Sequence, residues 1–394
     1  MLFQTLDDKN ECVAIYTDGI LDFENVPKGL TRTWNYVPYI SGDLECASLY
    51  CVGCSLDDAC PPHLKEKWEG INKKLRAFRL SFEISLIDMN ELCFFDLVQD
   101  RFLMEYCDIK NQICQHVFDT HERPKNYDFL LGLSEVLYNI RYKKLNIDIN
   151  GLKDIFAKTK TRAFLKKVNL LSPNIQYDIA GTRTGRLTTK RNSFPILTLD
   201  KDFRSLIKPN NDLFVELDFN AAELRTVLAL SGVEQPQQDI HEWIAKEVFL
   251  SGESREDVKK KVFAWLYNPL AKNEKLEQVF RRKEITAKYF DGNTVATPFD
   301  RNIEVDERRA FNYIVQSTTS DLFLRCMIKV AKLLKGRKSY VAFSIHDSLV
   351  IDLSVEDKSM LSEIVEVFSE TDLAKFKINM SVGENYGSMK TKRL

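Results

Sequence analysis

The sequence predicts an α+β protein built from two or three subdomains. A chain of 394 residues is longer than one compact core usually accommodates. Apolar runs of strand length (Leu213–Leu217, Tyr340–Ile345, Leu349–Leu353) stand beside segments with helical spacing, such as Phe102, Leu103, Tyr106, Ile109, Ile113 and Val117. The pattern also shifts along the chain. Residues 1–60 carry short apolar runs broken by Gly, Pro and Asp and suggest a small β-rich or mixed piece. Helical periodicity runs from about Leu64 to Val168, and 176–215 read as extended and loop-rich. Helical patterns return over 220–267 and 305–335, then come a strand pair and a final helix over about Val355–Ser369.

The composition is that of an ordinary soluble chain, 44% hydrophobic and 29% charged, without repeats or low-complexity tracts. A net charge of −1 gives no global sign of nucleic-acid binding, although acidic and basic faces can cancel in the sum. No apolar run reaches membrane-span length, so no membrane partner is expected. The first residues, MLFQTLDDKNEC, lack the basic and apolar regions of a secretory signal. Nine scattered cysteines fit a reducing, cytoplasmic compartment better than a disulfide scaffold.

Three features of the first half invite a functional reading. Cys46, Cys51, Cys54, Cys60 and His63 lie close together around a CxxC core, but their outer spacings do not match a usual zinc knuckle or ribbon, and plain thiols explain them better. Asp22 and Glu24 form an acidic pair of the kind a two-metal nuclease uses, without room or partners for a complete site. Asn139–Asn146 mixes basic and aromatic residues, as a nucleic-acid contact or a solvated helix face would.

The second half is more specific. Leu213–Arg225, LFVELDFNAAELR, reads as a strand over Leu213–Leu217 delivering Asp218, with Asn220 as the capping residue that starts a helix. A carboxylate where a buried strand meets a helix can hold a divalent cation, or can simply be a turn residue. Gly181–Thr189, GTRTGRLTT, sets arginines among small residues, suited to phosphates or base edges. Asp239–His241 opens another helical segment ending at Phe249.

Arg255, Lys259, Phe263 and Tyr267 recur every fourth position and share one helical face. Ser254 and Asp257 supply a capping box that places Arg255 in the first turn. Two cations followed by two rings would orient a nucleoside triphosphate, whereas an amphipathic helix with snorkelling cations explains the same letters more simply. Arg308, Asn312 and Gln316 form a second four-spaced series suited to a duplex groove, with Asp321 beyond. His346-Asp347-Ser348 then joins two apolar strands, an unusual place for a charge unless a metal or substrate meets it. Asp218 and Asp347 would be the carboxylates bridging two Mg²⁺ ions, which activate a primer 3′-hydroxyl and stabilise pyrophosphate.

These motifs, in this order, resemble those of the family A DNA polymerases, of the kind many bacteriophages encode, from about Asp128 to the C-terminus. The resemblance implies the right-hand polymerase fold, with an antiparallel palm sheet and helical thumb and fingers. It implies 1–95 as a small N-terminal region, 96–180 as thumb, 181–235 and 311–394 as palm, and 236–310 as fingers. Asp218 and Asp347 match the metal-binding catalytic aspartates. Glu223 matches the glutamate that excludes ribonucleotides. His241, Arg255 and Lys259 match the triphosphate contacts, Phe263 the position packing on sugar and base, and Tyr267 the templating-base stack. Phe263 in place of Tyr implies poor use of dideoxynucleotides. Arg186, Arg308, Asn312, Gln316 and His346 match positions along primer–template DNA. GENYG at 383–387 resembles the closing segment of the family.

Three departures stand out. Asn268 replaces the usual glycine after the tyrosine, Ser348 replaces the usual acidic residue after Asp347, and only 48 residues separate Lys259 from Arg308. His-Asp-Ser is also how the related single-subunit RNA polymerases read here. Against an RNA polymerase stands Glu223, whose bulk opposes a 2′-hydroxyl. A non-catalytic nucleic-acid-binding paralogue would have no need for a costly pair of buried aspartates. The expectation is a monomeric phage-type replicative DNA polymerase using dNTPs and two Mg²⁺, with Mn²⁺ as a substitute. The region before the palm is too small for a 3′–5′ exonuclease domain plus a thumb. Proofreading is therefore expected from a separate exonuclease, with a helicase-primase or processivity factor as further partners.

Overall fold

The computed structural model of the protein describes residues 1–8, 11–40, 42–89, 92–148, 159–162, 164, 173–191, 193–250 and 252–392. Part of the helical pattern expected up to Val168 lies outside the described residues. Helix and strand mix as expected. The chain divides into two compact units, Met1–Tyr142 and Lys143–Leu394, a division that falls within the 96–180 segment.

The first unit contains an antiparallel sheet of Gln4–Asp8, Glu11–Thr17 and Ile20–Asp22, followed by helices Lys65–Ile84, Asp100–Thr120 and Tyr127–Tyr142. Phe3, Ile15, Leu30, Val37, Ile40 and Leu44 form one hydrophobic cluster in it. The apolar stripe Phe102, Leu103, Ile109, Ile113 and Val117 is buried on the second helix, as its spacing predicts. All nine cysteines are free thiols, Cys46 and Cys51 buried, and none joins a metal-binding group among the described residues. The Asp22 carboxylate accepts the backbone N–H groups of Glu24 and Asn25, which is the work of a turn residue.

The second unit is organised on a five-stranded antiparallel sheet. Its strands are β1 (Leu213–Phe219), β2 (Tyr340–Ile345), β3 (Ser348–Leu353), β4 (Ile378–Gly383) and β5 (Lys390–Lys392), in the order β2-β3-β1-β4-β5. On β1 the two-residue period separates Val215, Leu217 and Phe219 from Glu216 and Asp218. Phe219 stacks on Phe368 at 4.6 Å and meets Phe323 and Phe376 edge-on. Burial of such side chains contributes about 1.5–3 kcal/mol each. That packing commits one face of the sheet to helices and leaves Glu216 and Asp218 on the other.

The principal helices here are α1 (Ala222–Leu230), α2 (Arg255–Tyr267) and α3 (Glu307–Leu333). Leu224, Val227 and Leu228 of α1, Val258, Val262 and Trp265 of α2, and Phe311 and Ile314 of α3 share one hydrophobic core with Ile240, Ile244, Leu276 and Phe280. Ile240–Trp243 and the π-helical turn Ile244–Val248 form the segment expected after Asp239. The final helical stretch is 3₁₀ over Val355–Met360 and α over Leu361–Ser369.

Two local expectations need correction. β1 continues to Phe219, so Asp218 lies within the strand and not after it. Asn220 does not cap α1: the N-cap is Ala221, held at φ 54° with no side-chain cap. The Asn220 amide is used elsewhere. Its oxygen accepts from Arg225 and from the Ile240 N–H, and its nitrogen donates to Asp239.

Candidate active site

Asp218 is Cα-paired with Ser348 on β3 and with Asn379 on β4. Asp347 immediately precedes Ser348, in the turn where His346 takes a left-handed φ of 54°. Antiparallel register therefore sets the two aspartates at neighbouring positions. Burial, together with the nearby charges of Glu216 and Asp347, pushes the Asp218 carboxyl up to about 6 against a weak hydrogen bond from Asn379. Burial likewise raises Asp347, partly offset by Arg186 at 3.7 Å and by His346. Two adjacent, desolvated carboxylates that resist ionisation form a site that a divalent cation would stabilise. Among the described residues no group of three or more His, Cys, Asp or Glu is arranged to hold a metal.

Glu223, in the first turn of α1, lies between Arg186 and the last residue of α2. It accepts from Arg186 at 2.7 Å and from the Tyr267 hydroxyl. Burial and Glu223 together raise the Tyr267 phenol, so it remains a donor.

The Arg186 loop has a fixed footing. Tyr177 at its start donates to the Ser344 carbonyl and accepts the Ser344 N–H. A Cβ at Gly181 would lie 1.7 Å from the Thr188 hydroxyl, and one at Gly185 would lie 2.4 Å from the Arg301 guanidinium. Gly185 also holds φ 77°, so glycine is required there twice over. Arg301 in turn is paired at 2.7 Å with Asp321, which is 1% exposed.

On α2, Ser254 accepts the Asp257 N–H and donates to its carboxylate, so Arg255 does begin the first turn. Val258, Val262, Trp265 and Leu266 are buried, and the opposite face shows Arg255, Lys259, Phe263 and Tyr267. Lys259 lies 5.7 Å from the Phe263 ring. His241 is 2% exposed, edge-on to Phe263 at 5.9 Å, with its Nδ1 unpartnered. Burial, with Arg255 and Lys259 adding, lowers its affinity for a proton. A neutral imidazole with a spare nitrogen beside two cations can bind an anionic ligand without a charge of its own.

Behind this face, Arg225 is fully buried and donates to the Asn220, Pro236 and Gln238 carbonyls, fixing the approach to Asp239. Asp239 caps the Ile240 helix and accepts from Arg255 at 2.9 Å.

α2 ends without the glycine that the resemblance led one to expect. Asn268 is extended (φ −97°, ψ 109°), so no left-handed residue is needed. Arg282 instead donates to the carbonyls of Trp265, Asn268 and Ala271 and lies over the Trp265 ring. Arg308, Asn312 and Gln316 occupy non-buried positions of α3, and Asn312 donates to the Tyr267 carbonyl. GENYG is pinned by packing. Tyr386 meets Phe343 edge-on, and a Cβ at Gly387 would lie 2.5 Å from the Ser205 nitrogen.

Contacts thus link Asp347, Arg186, Glu223, Tyr267 and Asn312 into one network, and Asp239 gathers Arg255 and Asn220 beside His241. Sequence reading passed over Glu216, Asp239 as an Arg255 partner, and Arg301. Glu216 was findable, because position i−2 on a strand shares the Asp218 face. The Arg301–Asp321 pair carries no local signal.

A family model described as DNA polymerase family A matches residues 268–390. DNA polymerase I of Caldicellulosiruptor bescii is 26% identical, covering 54% of this chain and 31% of that protein. DNA polymerase I of Borreliella burgdorferi is 22% identical, covering 81% and 39%. Residues 268–390 therefore carry the sequence pattern of the family A DNA polymerases. The chain spans about a third of the length of these two curated relatives. A solved structure, the POL domain of Pol1 from M. smegmatis in complex with DNA primer-template and dNTP, matches with a TM-score of 0.57 at 13% identity, over 75% of this chain and 76% of that one. This likeness bears out the α+β right-hand polymerase fold. Among the described residues no helix is long and apolar enough to cross a membrane.

Proposed function

We propose that this chain is a template-directed DNA polymerase that adds dNTPs to a primer 3′ end. The observation that carries this reading is the pairing of Asp218 with Ser348, next to Asp347, on the β1 face opposite Phe219. The two carboxylates suit Mg²⁺, which is usually held by one or two carboxylates together with substrate phosphates and water. Two ions, with Mn²⁺ as a substitute, would supply Lewis-acid stabilisation of the attacking and leaving oxygens.

The remaining residues bind and orient. Arg255, Lys259 and the neutral His241 would hold the triphosphate, and Phe263 would pack on the sugar and base. Tyr267 would stack at the templating position, with Glu223 beneath it opposing a 2′-hydroxyl. Arg186, Arg308, Asn312, Gln316 and His346 would follow the primer–template. In this reading 181–235 and 311–394 are palm and 236–310 are fingers. The 96–180 segment is thumb, with Asp100–Thr120 and Tyr127–Tyr142 as its helices, and 1–95 is a small N-terminal region. A role in phage replication, with proofreading supplied by a separate protein, completes the proposal.

The test is extension of a labelled primer on a template with a 5′ overhang, with Mg²⁺ and either dNTPs or rNTPs, beside a nucleotide-free lane. Extension with dNTPs alone and no shortening supports the reading. Extension with rNTPs favours a single-subunit RNA polymerase, and shortening reveals a nuclease. Asp218→Ala or Asp347→Ala should abolish extension and spare primer–template binding. Retained extension in either variant overturns the metal assignment.

A further inference from the structure

We propose that Asp239 is an internal stand-in for substrate phosphate: its carboxylate holds Arg255 in the nucleotide-free protein, and an incoming triphosphate must take Arg255 from it. The inference rests on the reading of Arg255 as a triphosphate contact.

The two Asp239 oxygens are used differently. Oδ1 accepts the His241 and Glu242 N–H groups, and Oδ2 accepts the Asn220 amide and the Arg255 guanidinium. Three of these four donors belong to a buried or capped framework, so Asp239 stays in place when Arg255 leaves. Burial alone would raise the Asp239 carboxyl, but Arg255, Asn220 and the Glu242 N–H hold it down at about 2, so it is a full anion at working pH. Arg255 is the mobile partner. Its side chain is 42% exposed against 18% for Asp239, and it sits in the first turn of α2, with Glu256 as its other neighbour.

Lys259, one turn on, forms no ion pair among the described residues. Of the two cations on this face, only Arg255 is in an ion pair among the described residues. A half-exposed ion pair is weak, so a ligand carrying several negative charges can displace a single carboxylate. The neighbouring His241 Nδ1, buried and unpartnered, lies on the same approach. Asp239 therefore sets the threshold at which Arg255 is released, and it holds Arg255 beside the place where phosphates would arrive.

The test is equilibrium dNTP binding to the protein on a chain-terminated primer–template, where no chemistry can follow. Asp239→Asn and Asp239→Ser both retain a capping oxygen and remove the charge. Each should tighten dNTP binding roughly two- to fivefold. Neither should alter binding in the Arg255→Ala background, because the competition acts only through Arg255. Thermal unfolding establishes that the variants are folded. Unchanged or weakened binding in the protein that keeps Arg255, or equal effects with and without Arg255, overturns the proposal and leaves Asp239 as a strut. If Arg255→Ala itself leaves dNTP affinity unchanged, the reading of Arg255 fails instead, a distinct result.

Discussion

Ser348 donates its hydroxyl to Glu216 across 2.7 Å, from β3 to the central strand that carries Asp218. Ser348 stands where family A polymerases usually carry an acid, and Glu216 supplies a carboxylate one diagonal away. A second acid at 348 would therefore meet like charge in a buried setting. Ser348→Glu should destabilise the protein by about 1–3 kcal/mol in urea unfolding. The double variant Glu216→Ser with Ser348→Glu should recover most of that loss. Strictly additive effects would mean that the two positions do not communicate.

Asp218 contributes a pH dependence of known sign. It titrates near 6 in the folded protein and near 3.9 in an unfolded chain, so between those values the unfolded chain binds fewer protons. Stability therefore falls as pH rises from about 4 to 6. Asp218→Asn should stabilise the metal-free protein by roughly 1–3 kcal/mol at pH 8 and by almost nothing near pH 3.5. Unfolding in EDTA at the two pH values measures the difference. A gain of equal size at both would assign the effect to something other than the charge.

Glu223 is held by Arg186 and Tyr267, which fixes its carboxylate in place. Glu223→Ala should lower the preference for dNTPs over rNTPs by about tenfold or more, as removal of a positioned barrier does. Competitive single-nucleotide incorporation gives the ratio, and an unchanged ratio would remove Glu223 as the barrier.

The Arg301–Asp321 pair supports the loop that aims Arg186. Arg301→Ala should cost about 3–5 kcal/mol, because it strands the buried Asp321 charge. Replacing both residues with Met should cost less than the single change. Chemical denaturation of the three proteins decides between these outcomes.

The sequence made the site legible where chemistry follows local periodicity. The sequence placed the α2 face by four-residue spacing, but it ended at Leu217 a strand that runs on through Asp218 to Phe219. It failed where a backbone position is satisfied from afar. Asn220 looked like a cap because capping residues are short and polar, yet its amide is used by Arg225 and Asp239. The end of α2 is closed by Arg282, a contact that no short window contains.

α3 belongs to two packing environments. Phe311 and Ile314 sit in the core shared with α1 and α2, and Phe323 sits among the rings beneath the sheet. A rod anchored at both ends cannot lose one set of contacts while the other keeps its helix straight. Its amides, and those of β1 above it, should therefore open as one cooperative block in hydrogen exchange, while the first turn of α2, which carries Arg255, frays independently. Slow, concerted opening around the aspartates and fast local opening around Arg255 would let the protein admit substrates without loosening the sheet that positions the reacting groups.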